Sequence, residues 1–183
     1  MFDAVVIGRP AGSIEVPASL PGTLPQDYPL PIIVAIHLHP LYQGNPARFT
    51  GSQTAIRIKE VLGKYPIETG NVYTAAANYH LPAEHDKTFA LTVDDRVNYA
   101  CPSIDVLFES AAFVYGESLT GILLSGAANG DGARGLAVIK QSGGLTVVQA
   151  PETDQSTAMP QAAVNTGSVD RILQPMILRD ILR

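Results

Sequence analysis

The sequence predicts an α/β domain: a doubly wound, mostly parallel sheet with helices on both faces and a small appended β-hairpin. Three observations carry that expectation. Short runs of apolar residues recur along the chain with no polar alternation, as strands buried on both faces require. Between them lie stretches whose apolar residues fall at three- and four-residue spacing, as in amphipathic helices. Glycine-rich or polar segments follow several of the runs, where an α/β sheet turns from strand to helix.

Taken in order, Ala4 to Ile7 is the first strand, and Gly8-Arg9-Pro10-Ala11-Gly12-Ser13 is the turn after it. Five of the fourteen prolines lie between Pro17 and Pro31. The first helix is therefore short, kinked at Pro17 and followed by an extended connection. Ile32 to Ile36 is the second strand, and Gln53 to Leu62 has helical spacing. Asn71 to Ala75 is the third strand. Residues Phe89 to Val93 and Val97 to Tyr99 flank Asp94-Asp95-Arg96 as the arms of a hairpin. Ser103 after Pro102 is the N-cap of a helix that runs to Tyr115. Gly121 to Ser125 is the fourth strand, Ala133 to Gln141 a helix, and Leu145 to Gln149 the fifth strand, bounded by Gly143-Gly144 and Pro151. A last short strand and a helix occupy Ser168 to Arg183, with Pro175 at the helix start.

Bulk properties narrow the function classes. With 183 residues, 46% hydrophobic and 16% charged, residues 1–183 are expected to form one domain. A net charge of −5 and a pI near 5.2 argue against a nucleic-acid partner, which needs clustered Lys and Arg. Cys101 is the single cysteine, so neither an internal disulfide nor a cysteine-based zinc site is available. No apolar run reaches the ~18 residues that span a bilayer, and Met1-Phe2-Asp3 lacks the positive flank of a signal peptide. A cytoplasmic location is expected.

Chemistry in such a sheet sits beyond the carboxyl ends of the strands. There the first strand offers Gly8 to Ser13, the second His37-Leu38-His39-Pro40, and the fourth Ser125 to Gly132. His37 and Asp131 follow in the chain order of a base and its orienter. Where a nucleophile would stand in the first turn there is Pro10, with a fixed φ, no N–H and no hydroxyl.

These segments resemble the catalytic domain of the CheB-type chemotaxis protein-glutamate methylesterases. The resemblance runs from Val5 to about Leu182. It rests on Val5-Val6-Ile7-Gly8 with Ala11-Gly12, His37-Leu38-His39-Pro40, Gly70-Asn71-Val72-Tyr73 with Tyr79-His80-Leu81, Cys101 to Ala112, Leu124-Ser125-Gly126 with Asp131 to Leu136, and Met159-Pro160-Gln161-Ala162-Ala163. It implies a cofactor-free hydrolase of glutamate methyl esters on methyl-accepting chemoreceptors that also deamidates receptor glutamines. It places the family's nucleophilic serine on Pro10, its histidine on His37, its aspartate on Asp131 and its glycine pair on Gly12 and Ser13. Ala127 stands where the family has a methionine, and the loop before Asp131 is one residue longer. The family's N-terminal receiver domain is not part of residues 1–183. The expectation is a methylesterase-like domain of chemotaxis signalling with its nucleophile replaced. The alternative is a catalytically silent module that binds a protein or a small ligand.

Several residues carry competing readings. His37 is a base or a strand-end histidine bonded to a loop carbonyl, and the resemblance favours the base. His39 could form a His-x-His metal pair but lacks a third ligand at convincing spacing, so no metal is expected. Asp131 either orients His37 or caps the helix from Ala133. Asp105 and Glu109 could form an acid pair, but a solvated helix face is favoured. Cys101 reads as packing, His80 as a loop anchor and Arg9 as a surface residue able to meet a carboxylate. Ser13 is the best substitute hydroxyl, though ~4.5 Å further along a helix axis than position 10. Ser125 is a second substitute, favoured as a loop anchor.

Overall fold

The computed structural model describes residues 2–10, 24–42, 56–126, 130–153, 157–175, 177 and 181–182. Among these, the apolar runs pair into one parallel sheet. Its strands are β1 (Ala4–Arg9), β2 (Ile32–Ile36), β3 (Arg57–Val61), β5 (Asn71–Ala75), β7 (Leu119–Leu123), β8 (Leu145–Gln149) and β9 (Arg171–Leu173). Their order is β3-β5-β2-β1-β7-β8-β9, and every pairing is parallel. Order reverses around β1, the point at which loops from neighbouring strands diverge and leave a crevice.

Burial follows the two-residue period of a strand. In β1, Ala4 and Val6 join one core cluster and Val5 and Ile7 the other. The first cluster is covered by α1 (Ile104–Tyr115), α2 (Ala133–Gln141) and α3 (Ala158–Asn165) through residues such as Leu107, Phe108, Leu136, Ile139 and Met159. The second cluster meets Leu24, Tyr28 and Leu182. Both faces of β1 are therefore dry, which explains why its sequence does not alternate.

Three expectations need correction. The helix expected over Gln53 to Leu62 is not formed where residues are described: Arg57–Val61 is β3, paired along its length with β5. Its β-branched Ile58 and Val61 suit an edge strand, and the otherwise unpaired edge of β5 supplies the hydrogen bonds that outweigh local helical spacing. The fourth strand spans Leu119–Leu123, two residues earlier than expected, so Ser125 lies past its end. The small antiparallel unit is present, but its ladder joins β4 (Tyr65–Pro66) to β6 (Thr88–Phe89), with further bridges His80–Thr92 and Ala83–Phe89. At the second arm expected for the hairpin, Val97 and Ala100 close a two-residue turn. The helix expected around Pro17 lies outside the described residues.

Candidate active site

Parallel pairing sets the first two residues of the site side by side. β1 and β2 run in register to Arg9 and Ile36, and the His37 N–H donates to the Arg9 carbonyl at 2.9 Å, carrying the ladder one step further. Pro10 is the next residue of that edge and is buried. Arg9 is 8% exposed, so the expected surface arginine is instead enclosed at the end of a central strand, where burial pushes its guanidinium below the ordinary value.

Asp131 reaches the site from the loop before α2. Its Oδ2 lies 2.7 Å from His37 Nε2, and its side chain is fully buried. Further contacts come from the start of α1. The Ile104 N–H donates to Oδ2 at 2.7 Å, and the Asp105 N–H donates to Oδ1 at 3.1 Å. The Ser103 hydroxyl donates to Oδ1 at 2.7 Å while accepting from the Val106 N–H at 3.4 Å. Asp131 thus caps α1, a helix 26 residues before it in sequence, and not α2 as its position suggests. Burial pushes its carboxyl upward, but the bonds from His37, the Ile104 N–H, Ser103 and the Asp105 N–H outweigh this and hold it below the usual range.

The cap that α2 lacks comes from α1. Gly132 is its N-cap, at φ 92° and without a side chain, and Asp105 Oδ1 accepts from the Gly132 N–H at 2.9 Å and the Gly135 N–H at 2.7 Å. A Cβ at Gly135 would sit 2.5 Å from the Phe108 Cβ, so the glycine lets the two helices approach closely enough for this exchange. Asp105 is 1% exposed, which overturns the expected solvated acidic face; Glu109 is the outer member and pairs with Arg134. Burial and the nearby Asp131 charge push the Asp105 carboxyl upward against the bond from Gly135.

An ionised carboxylate only accepts, so Nε2 of His37 carries the hydrogen and Nδ1 of the neutral ring holds the lone pair. His80 is fixed in the same way: its Nδ1 accepts from the Ser103 N–H at 3.2 Å, so Nε2 donates to the Asp95 carbonyl at 3.1 Å. His39 accepts from the Leu41 N–H at an exposed position, and no cluster of three metal-binding side chains occurs among the described residues. The Ser125 N–H donates to Gln149 Oε1, and burial pushes the Cys101 thiol upward, away from thiolate chemistry. Ser13 and Ala127 lie outside the described residues. A separate groove of about 350 Å³, lined by Tyr28, Arg57 and Asn71 among others, opens at the amino ends of β3 and β5, away from this site.

Sequence reasoning brought His37 and Asp131 to one loop cluster but missed Asn98, whose Nδ2 reaches both Asp105 and Asp131. Its only signal was an Asn in a turn.

Residues 5–182 match the model of the CheB methylesterase family. A Leptospira interrogans serovar copenhageni protein, named provisionally as a protein-glutamate methylesterase/protein-glutamine glutaminase, is 44% identical over 172 residues, covering 94% of this chain and 89% of its own. An Anaeromyxobacter dehalogenans protein-glutamate methylesterase/protein-glutamine glutaminase is 34% identical over 99% of this chain, which spans 54% of that relative. The crystal structure of the Thermotoga maritima CheB methylesterase catalytic domain superposes with a TM-score of 0.90 at 27% identity, covering 100% of this chain and 97% of that one.

Proposed function

The chain belongs to the CheB methylesterase family, and from that premise we propose that it is a methylesterase-type domain of chemotaxis signalling, acting on methyl-accepting chemoreceptors in the cytoplasm, whose hydrolytic step is impaired at position 10. The observation that carries the proposal is the hydrogen bond between His37 Nε2 and Asp131 Oδ2, on the strand edge next to Pro10.

In this reading His37 is the general base and Asp131 its orienter. Asp131 fixes the tautomer that leaves Nδ1 ready to accept a proton, and it would stabilise the imidazolium formed. Ester hydrolysis through a serine would move the hydroxyl proton to the histidine as the oxygen bonds to the ester carbonyl, with methanol leaving as the proton is returned. Water, deprotonated by the same histidine, would then cleave the acyl link, releasing the glutamate carboxylate and restoring the hydroxyl. Pro10 has no such proton and no oxygen to form the acyl link. Loss of the nucleophile in the best-studied serine hydrolase costs ~10⁶ in rate, so the parent chain should sit near background.

The alternative, a silent module that binds a receptor or a small ligand, draws on the burial of Pro10, which closes the nucleophile position with a group that cannot react. One set of assays separates the two. Methanol release from a methylated chemoreceptor fragment and labelling by a serine-directed phosphonate are measured for the parent, His37→Ala, Pro10→Ser and Pro10→Ser with His37→Ala. Background turnover in the parent, a gain on Pro10→Ser and its loss on adding His37→Ala support an impaired esterase site. A silent Pro10→Ser variant, correctly folded, favours the binding module. Parent turnover abolished by His37→Ala would overturn impairment.

A further inference from the structure

Asn98 sits in the turn Val97 to Ala100. The Ala100 N–H donates to the Val97 carbonyl at 2.9 Å, and the Val97 N–H donates to the Ala100 carbonyl at 3.2 Å. Asn98 and Tyr99 both have positive φ, 50° and 65°, so the turn has the mirror-image geometry favoured in two-residue hairpins. Asparagine adopts that conformation readily, and a turn role alone would explain its presence. The side chain does more. Nδ2 donates to Asp105 Oδ2 at 2.8 Å and to Asp131 Oδ1 at 3.3 Å.

An amide nitrogen carries two hydrogens, one for each carboxylate. The two aspartates are 1% and 0% exposed, and each is already committed to the start of the other's helix. Two buried carboxylates sharing one region repel each other, and a neutral double donor between them eases that repulsion without adding a charge. It also restrains the Asp131 oxygen next to the one that faces His37.

We propose that Asn98 is a positioning residue for the His37–Asp131 pair, its amide tying the two capping carboxylates together and fixing the Asp131 carboxylate against the imidazole. The inference rests on reading His37 and Asp131 as the functional pair. Its test reads a titration and not turnover, so a failed esterase assay and a failed Asn98 role are told apart.

The experiment follows the His37 ring nitrogens and carbons by NMR against pH in the parent, Asn98→Gly and Asn98→Asp. Glycine keeps the left-handed turn and removes only the amide. Without that amide Asp131 is no longer held against the ring, the imidazolium loses part of its counter-charge, and the His37 midpoint should fall by about half a unit. Aspartate keeps the size and the turn but adds a negative charge near the pair, so in that variant the midpoint should move the other way and rise, by about half a unit. Midpoints within about 0.1 unit of the parent in Asn98→Gly, or a rise, would overturn the proposal and leave Asn98 a turn residue. Should Asn98→Asp fail to fold, Asn98→Gly alone decides.

Discussion

Asp131 and Asp105 each cap the helix that the other introduces. Asp131, one residue before the N-cap of α2, accepts the first N–H groups of α1; Asp105, inside α1, accepts those of α2. The exchange locks two helices together at the carboxyl end of the sheet and leaves one Asp131 oxygen facing His37. The histidine's partner is therefore also a structural bolt, so changes at Asp131 will affect stability together with any chemistry.

Asp131→Ala removes an acceptor shared by His37, Ser103 and two backbone N–H groups, all buried or half-buried. It should cost about 3 kcal/mol or more of stability, because donors are left without partners. His37→Ala, which leaves the caps in place, should cost clearly less. Urea unfolding of both variants measures the difference, and equal losses would show that Asp131 does not hold the two helices.

The acid limb of the stability curve should carry the signature of Asp131. Its folded carboxyl lies below the ordinary 3.8, so its contribution is present above that value and is lost as pH falls through the lower folded value. Asp105 has the opposite sign: its carboxyl is raised from 3.8 in the fold, so ionising it weakens the fold between 3.8 and the raised value. Unfolding free energy measured from pH 7 to pH 3 should therefore fall less steeply below pH 4 in Asp131→Ala than in the parent. An identical slope there would rule out the assignment.

Gly132→Ala should be severe. The residue is at φ 92°, and an added Cβ would lie 2.7 Å from Leu123 Cδ1 and 2.8 Å from Ile104 Cγ2. Backbone strain and overpacking together should cost about 2–4 kcal/mol and move Asp131 away from His37. Loss of the downfield imidazole proton signal expected of a His37–Asp131 bond, alongside a lowered melting temperature, is the check.

Tyr99→Gly should stabilise. Tyr99 is 90% exposed at φ 65°, the second left-handed position of its turn, where glycine is preferred. Relief of the left-handed cost, partly offset by the greater freedom of glycine in the unfolded chain, should leave a gain of about 0.5 kcal/mol. A rise of a degree or two in melting temperature would be seen by calorimetry, and a fall would show that the ring makes stabilising contacts.

Much of the site was legible because it depends on strand ends. Val5 to Ile7 and Ile32 to Ile36 are apolar throughout, which fixes them as buried strands and sets Pro10 and His37 just past their ends. Ser103 was legible as a cap because capping is a local bond to the Val106 N–H. Arg57 to Val61 was misread because its spacing suits a helix, while the vacant edge of β5 makes it a strand. Asp105 was read onto a solvated helix face and Asn98 only into a hairpin arm, because nothing local shows what packs on them.

The sequence by itself determined the fold class, the family and the burial of the central strands, and it puts a proline at position 10, all consequences of residue type and order along the chain. Only the tertiary structure decided that Asp131 bonds His37 while capping α1, that Asp105 returns the cap to α2 and that Asn98 joins them. The reason is physical: these bonds join residues 26 or more positions apart, or a turn to two helices. Which buried donor meets which acceptor is set by the packing of α1 against α2, and local pattern carries no trace of it.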